Sequence, residues 1–216
     1  MSFTALNYIE DAAELYSDIA YDRISTTTWI KYLNAAIRTL VLVRPDSGAV
    51  TESVQLVAGI KQTLPTAALR LLDITRNMGT DGSTAGKIIT PSKRAHIDYA
   101  NLLWPAGTGE TYIENFSYDN NVPDIYYVTP PVHDSTNVYV EMSSSQLPTT
   151  ITATGDTVGV NDIFFEPIVQ YMLYKAYAAD DEGVEFDKAQ AFMANFFSLL
   201  QVETQTSKAQ GPEPKE

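Results

Sequence analysis

The chain contains no cysteine and only two histidines, His96 and His133, among its 216 residues. The absence of cysteine excludes disulfide bonds, thiolate metal sites and a cysteine nucleophile. No Gly-x-Ser-x-Gly segment is present to carry a serine nucleophile. His133 stands beside Asp134, and one histidine next to one carboxylate provides too few ligands for a metal site.

Positive charge is also scarce. The chain has 14 Lys and Arg against 27 Asp and Glu, which gives a formal net charge of -13. Tight, sequence-independent binding of a phosphate backbone needs clustered positive charge, so the composition argues against it. A negative surface that DNA passes without adhering remains compatible with this charge, and so does a plain contribution to solubility.

Long apolar runs are missing as well. No run approaches the roughly 18 residues that a membrane-spanning helix needs. The first 18 residues are acidic and lack the basic and apolar regions of a secretory signal. We therefore expect a soluble protein that is made in a cytoplasm and has no membrane partner.

Helical periodicity is found at both ends of the chain. Apolar residues between Ile9 and Ala20 recur at three- and four-residue steps and predict a first helix. A clearer apolar stripe from Trp29 to Val41 predicts a second helix, which ends before Pro45. After Asn161 come a helix that is apolar almost all round, with Pro167 in its first turn or at a kink, and then an amphipathic helix.

The middle of the chain has strand-like patterns. In the segment that starts at Glu52, Val54, Leu56, Ala58 and Ile60 alternate as on one strand face. Further on, Leu72 and Ile74 are predicted to share a face, and several short runs rich in Tyr, Val and Ile follow. One short helix is predicted over 92–103, begun by Pro91 and stopped by Pro105.

These patterns together predict an α+β fold. A helical bundle is assigned to residues 1–48 and 161–202. Residues 49–160 form a β-rich insertion with one short helix, and residues 203–216 form a flexible, polar C-terminal arm.

The segment PSKRAHIDYANLLWP, residues 91–105, concentrates groups that are common in active sites. On a helix, His96 and Asp98 are two residues apart and face different sides, so they do not form a relay. Lys93 and Arg94 could instead reach acidic groups on a neighbouring chain. The segment is therefore interpreted as a contact surface, with a plain solvated helix as the alternative.

Three further patterns resemble binding motifs and fail on spacing. In DGSTAGKII, Gly82 is one residue too close to Gly86-Lys87, and Ile88 replaces the hydroxyl residue of a phosphate-binding loop, so a flexible loop is predicted. The acidic run 180–187 lacks the spacing of a calcium-binding EF-hand and is interpreted as a solvated connection. Tyrosines such as Tyr126 and Tyr127 are typical of a strand core or interface, with a sugar-binding face as the alternative.

Two segments nevertheless resemble a known family. Residues 167–200 look like the C-terminal helix pair of a family of tailed-phage virion proteins: an aromatic helix with the run Leu-Tyr-Lys-Ala-Tyr at 173–177, an acidic turn, and an Ala- and Phe-bearing helix. Residues 122–132, VPDIYYVTPPV, are similar to its aromatic strand closed by a proline pair. The segment at 29–46 resembles the family's first amphipathic helix. The order of elements resembles the head-to-tail adaptor, or connector, of short-tailed, podovirus-like bacteriophages.

The resemblance implies a structural protein of the virion tail or neck. Such adaptors form a ring, typically of twelve copies, which joins the portal protein to the tail nozzle, or tail tubular protein, during tail assembly. DNA passes non-specifically through the lumen at ejection, and a tail fibre is a further partner to consider. A C-terminal arm commonly docks on the portal.

Under this resemblance several residues become candidates for contacts. The candidate interface comprises Arg94, His96, Asp98, Trp104, Tyr126 and Tyr127. The candidate portal-docking arm contains Lys208, Pro212, Pro214 and Lys215. We expect no catalytic residue, no cofactor and no metal, and therefore no enzyme. The alternative function is a fibre-attachment or glycan-binding module of the virion.

Overall fold

The computed structural model describes residues 3–100, 108–179 and 185–210, with side chains described except at Ala100 and over 202–210. It contains both helices and sheets, so the predicted α+β class is confirmed. The helices are α1 (Ala5–Leu15), α2 (Thr26–Val43), α3 (Arg94–Ala100), α4 (Phe165–Ala178) and α5 (Phe186–Gln210). The strands are β1 (Ala49–Gln55), β2 (Gly59–Thr63), β3 (Ala68–Asn77), β4 (Thr90–Pro91), β5 (Asn115–Tyr118), β6 (Ile125–Val132) and β7 (Tyr139–Gln146).

The chain divides into two compact units. The helical unit comprises residues 1–47 and 148–216, and the β unit comprises residues 48–147. The β unit is therefore shorter than the insertion predicted from the sequence, because residues 148–160 pack with the helices. Ile151, Val158 and Val160 are buried in the helical core.

Asn34 of α2 holds the segment 148–160 against the helices. Its amide nitrogen donates to the Ile151 carbonyl, and its amide oxygen accepts from the Ile151 N–H, each at 2.9 Å. The same nitrogen donates to the carbonyl of Ile30. This side chain thus satisfies both backbone groups of Ile151. Backbone hydrogen bonds from Ala5 to Asp156 and from Leu6 to Thr154 hold the same segment against the start of α1.

The first helix ends earlier than its periodicity predicts. The Asp18 carboxylate accepts backbone N–H groups of Asp22, Arg23 and Ile24, at 2.8 to 3.2 Å, and closes a turn after Leu15. Ile19 is 73% exposed, so the predicted extension of the apolar face through Ala20 is wrong. A short acidic side chain that caps free backbone donors competes with continued helix.

The second helix agrees with its prediction. Ser25 caps it by accepting the Thr28 N–H, and the helix ends at Val43, before Arg44 and Pro45. The apolar stripe faces the core: Trp29, Leu33, Ala36, Ile37, Leu40 and Val41 are buried. Helix α4, with Pro167 in its first turn, packs against α1, α2 and α5, which explains why it is apolar on most sides.

Two sheets build the β unit, in the orders β1-β7-β3 and β2-β6-β5-β4. The alternation predicted over Val54 to Ile60 is divided between β1 and β2, which lie in different sheets. In β3 the register against β7 shifts between Leu71 and Asp73. This irregularity places Leu71 and Ile74 in the core and leaves Leu72 exposed, so the predicted pairing of Leu72 with Ile74 on one face is wrong.

Candidate functional site

The predicted contact segment lies where β4 leaves the second sheet. Thr90 and Pro91 pair in parallel with Asn115 and Phe116, and the Ser92 N–H donates to the Phe116 carbonyl at 2.8 Å. Pro91 is therefore a strand residue, and α3 begins at Arg94, later than predicted. The strand fixes the place from which α3 projects its first side chains.

Arg94 joins two groups of the candidate interface. Its guanidinium carbon lies 4.6 Å from the centre of the Tyr127 ring, a cation–π distance. Its Nε is 3.8 Å from a carboxylate oxygen of Asp98, one helical turn along α3. Both side chains of this ion pair are about half exposed, at 56% and 47%, so the pair contributes little stability and leaves Arg94 available for other contacts.

The remaining predicted interface residues differ in their surroundings. His96 is exposed on α3, and its backbone N–H donates to the Lys93 carbonyl. Tyr126 is a correction to the prediction: it is 1% exposed and belongs to the core of the β unit, so it cannot form part of an exposed face of this chain. Neighbouring residues of a strand point to opposite faces, so Tyr127 is the half-buried one, beneath Arg94. Burial raises the pKa of the Tyr126 hydroxyl.

Several predicted residues cannot be placed. Trp104 lies outside the described residues, as do Pro212, Pro214 and Lys215 of the predicted arm. Lys208 belongs to α5, whose backbone continues to Gln210. The predicted flexible arm thus begins within a helix.

A groove of about 690 Å³ lies beside α3. Its walls come from the end of β4, the start of α3, β5, the turn after β5, and β6. The lining residues are Pro91, Ser92, Lys93, Arg94, Phe116, Ser117, Tyr118, Asp119, Asn120, Asn121, Val122, Ile125 and Tyr127. Lys93, Arg94 and Tyr127 of this lining had been selected from the sequence as contact candidates. The turn at 119–122 was not, because no local sequence pattern indicates that it lies beside a helix 25 residues earlier.

The turn that forms one wall is held by its own side chains. The Asp119 carboxylate accepts the backbone N–H and the side-chain amide of Asn121, each at 2.9 Å. The Tyr118 hydroxyl donates to the Pro123 carbonyl at 3.1 Å and accepts the Leu71 N–H. The groove wall is thus ordered by contacts inside the chain, which favours a preformed binding surface.

The groups that line this groove are suited to binding. It offers two cations, an aromatic face, amides and hydroxyls. Among the described residues, no group of three or more His, Cys, Asp and Glu side chains converges as metal ligands. His133 accepts from the backbone and hydroxyl of Ser135 through Nδ1, an arrangement that closes a local turn.

The glycine-rich loop is more ordered than predicted. The Asp81 carboxylate accepts the backbone N–H and the hydroxyl of both Ser83 and Thr84, at 2.7 to 3.0 Å. These hydrogen bonds hold the pKa of the Asp81 carboxyl well below its usual range. Gly82 has φ +74°, and a side chain there would meet Tyr139 and Ser53 at close distance, so the turn requires glycine. An ionised carboxylate at its centre is unsuited to holding phosphate.

The described helices include none that is both long enough and apolar enough to cross a lipid bilayer. The run 173–177 that carried the family resemblance has a structural role in the helical unit. Tyr171, Met172, Leu173 and Ala176 are buried, and Tyr174 and Tyr177 pack against the same core.

Comparison with protein families decides the affiliation of the chain. A model of the SU10 adaptor protein family matches residues 3–214. The chain belongs to the SU10 adaptor family. This membership confirms the predicted relationship to phage head-tail adaptors and makes the protein a component of the virion with a structural role. Such adaptor families are generally non-enzymatic and interact with other virion components. Among curated proteins, none matches the chain.

Proposed function

We propose that this adaptor assembles into a closed ring, of twelve copies, that joins the portal protein to the tail nozzle. The observation that carries the proposal is the family match over 3–214, which spans both units of the structure. Rings closed by rotation use a different patch on each side of every copy. The chain offers two different patches of this kind, because the groove of the β unit and the faces of the helical unit differ in composition.

The helical unit suits a rigid ring wall. Its core contains aromatic side chains from α2, α4 and α5. Tyr16, just after α1, contacts Trp29 of α2 and Tyr177 of α4. Phe192 of α5 stacks on Tyr177. Edge-to-face and stacked aromatic pairs add directional packing to the burial of area, which makes such a unit resistant to deformation.

The charge of the chain supports passage of DNA through the lumen of the ring. A net charge of -13 in each copy disfavours adhesion of a phosphate backbone, which a conduit must avoid. A lumen face with a net positive charge in the assembled ring would contradict this part of the proposal.

The C-terminal segment 203–216 is proposed to dock on the portal. Its first part continues α5 to Gln210, and Lys208 lies on this helical part. Pro212, Pro214 and Lys215 follow in the sequence. The helix already orders the start of this polar segment. Binding to the portal therefore costs less conformational entropy than it would if the whole segment had to become ordered.

Electron microscopy of the portal with and without the adaptor tests the ring. End-on views of the mixture are expected to show an added ring on the tail-facing side of the portal, with rotational symmetry that can be counted. Adaptor particles that stay separate from a well-formed portal would contradict the proposal.

A further inference from the structure

The groove beside α3 contains the one place in the sequence where two basic residues are adjacent, Lys93 and Arg94. Both side chains are exposed. Within the described residues, Lys93 makes no ion pair. Arg94 has one long ion-pair contact, 3.8 Å to Asp98, and the cation–π contact with the Tyr127 ring. In a chain with a net charge of -13, this pair is an unusual local concentration of positive charge.

Asp119, the one acidic residue among those that line the groove, forms no ion pair with Lys93 or Arg94 in the described part of the chain. Its Oδ1 accepts both donors of Asn121 in its own turn, and its single charge leaves the lining residues with a net positive charge. Strand β4 pairs with Asn115 and Phe116 only, so Ser117 and Tyr118 of β5 line the groove beyond it. The groove thus combines two exposed cations with a polar and aromatic floor, which favours an acidic ligand that also carries an apolar side chain.

The same chain contains a segment with this chemistry. Residues 180–187 read Asp-Asp-Glu-Gly-Val-Glu-Phe-Asp, the densest acidic stretch of the sequence, with one phenylalanine. The segment connects α4 to α5 in the helical unit, and its last residues are exposed, with Phe186 66% accessible. Each copy therefore carries one basic groove and one acidic segment.

We propose that the groove lined by Lys93 and Arg94 binds the acidic segment 180–187 of a neighbouring copy of the chain. The proposal rests on the proposed ring and names the contact that closes it. One groove and one segment in each copy give the two unlike patches that a head-to-tail contact needs, and every patch is used once the ring closes. The attraction also offsets the repulsion between copies that are all negatively charged.

Charge exchange tests this contact. The groove variant carries Lys93→Glu and Arg94→Glu, and the segment variant carries Asp181→Lys and Glu182→Lys. Each variant alone is expected to require on the order of tenfold more protein than the wild type to form rings on the portal, because like charges then face each other. Combining all four substitutions in one chain is expected to restore assembly.

Mixing the two variants in equal amounts separates a contact between copies from one within a chain. In a ring of alternating variants, the acidic groove meets the basic segment, and the unchanged groove of the other variant meets the unchanged segment. Assembly restored by mixing supports a contact between copies. Assembly restored by the combined chain but not by mixing overturns the proposal in favour of a contact within the chain.

A matched control changes the same charge elsewhere in the β unit. Lys61→Glu with Arg70→Glu alters two exposed basic residues outside the groove and is expected to leave assembly unchanged. If the groove variant and the segment variant both assemble as well as the wild type, the groove contact is overturned, while the proposed ring is not. Failure of the wild type to assemble on the portal rejects the ring itself. The groove variant could lose assembly, and neither the four-substitution chain nor the equal mixture of variants could restore it. That result overturns the choice of segment 180–187 as the partner of the groove.

Discussion

Tyr177 of α4 and Phe192 of α5 stack with their ring centres 5.3 Å apart and their planes within 12°. Tyr177 also meets Tyr16 edge to face at 4.9 Å, and the Lys188 ammonium lies 5.5 Å from its ring centre. One half-buried side chain therefore connects three segments of the helical unit, although its position near the end of α4 would suggest a peripheral role.

Replacing Tyr177 with Ala is expected to destabilise the helical unit by about 2 kcal/mol, because three aromatic and cation contacts are lost with the buried area. Urea unfolding followed by circular dichroism measures the change. Tyr99→Ala is the control, since Tyr99 is 93% exposed and its loss should change stability by less than about 0.5 kcal/mol. Equal unfolding midpoints for the two variants would contradict the role given to Tyr177.

Asn34→Asp is expected to release the segment 148–160 from α2. An ionised carboxylate can still accept the Ile151 N–H, but it cannot donate to the Ile151 carbonyl and repels it. Hydrogen exchange at the Ile151 amide should quicken by one to two orders of magnitude, which corresponds to about 1–3 kcal/mol. Exchange of amides in α5 serves as the internal control. Unchanged protection of Ile151 would show that the segment is held by other contacts.

Asn77→Ala is expected to weaken the β unit. Asn77 is 5% exposed, and its side chain bonds the backbone of Lys87 and both backbone groups of Ile113 at 2.7 to 2.9 Å. Its removal leaves buried donors and acceptors without a partner, at about 1–3 kcal/mol. Thermal unfolding measures the loss, and Asn120→Ala, at an exposed turn, is the matched control. An effect as small as that of the control would mean that water replaces the side chain.

Asp11→Asn is expected to stabilise the chain at neutral pH. Burial first, and then the Glu166 and Glu14 carboxylates, raise the pKa of Asp11 above its ordinary value. The folded chain therefore holds this proton more tightly than the unfolded chain, and ionisation of Asp11 lowers stability as the pH rises through the window above the unfolded pKa of 3.8.

At pH 7 the gain of Asp11→Asn should be less than about 1 kcal/mol, because the site is partly solvated. At about pH 2, well below the unfolded pKa, the gain should vanish, since wild-type Asp11 is then protonated in both states. Urea midpoints at the two pH values measure it, with Asp134→Asn at an 87% exposed side chain as the control. A gain that persists at low pH would assign the effect to something other than charge.

Removal of residues 211–216 is expected to weaken binding to the portal while the ring contact between copies persists. Removal of 203–216 should weaken it further, because that deletion also shortens α5. Titration of each truncated adaptor against the portal, followed by light scattering, measures the change. Portal binding that is unchanged in both deletions would remove the docking role of the arm.

The sequence predicted the long periodic helix α2, and it failed where a local cap, as at Asp18, or a distant contact decides. The stripe from Trp29 to Val41 is a property of one helix and was correct. The faces of β3 were wrong, because its bulges are set by pairing with β7. The place of residues 148–160 depends on distant partners, among them Asn34, which is 117 residues from Ile151, and the backbone at the start of α1; no local pattern indicates these contacts.

The candidate site was partly visible from the sequence. Lys93 and Arg94 could be selected as cations on a predicted helix, and Tyr127 as an aromatic strand residue, but their proximity could not be predicted. The choice between Tyr126 and Tyr127 could not be made, because the strand carries aromatic residues on both faces and the pattern does not tell which face meets the core. The groove itself needs β5 and the turn at 119–122 beside α3, which only the sheet pairing provides.

The mass of the complex formed with the portal tests the central claim most directly. Native mass spectrometry of the adaptor, alone and mixed with the portal of the same phage, gives the number of copies bound. We predict one ring of twelve adaptor copies on each portal. If the adaptor alone is mainly a single copy before mixing, the portal templates the ring. A portal that retains its own mass after mixing would contradict the adaptor ring.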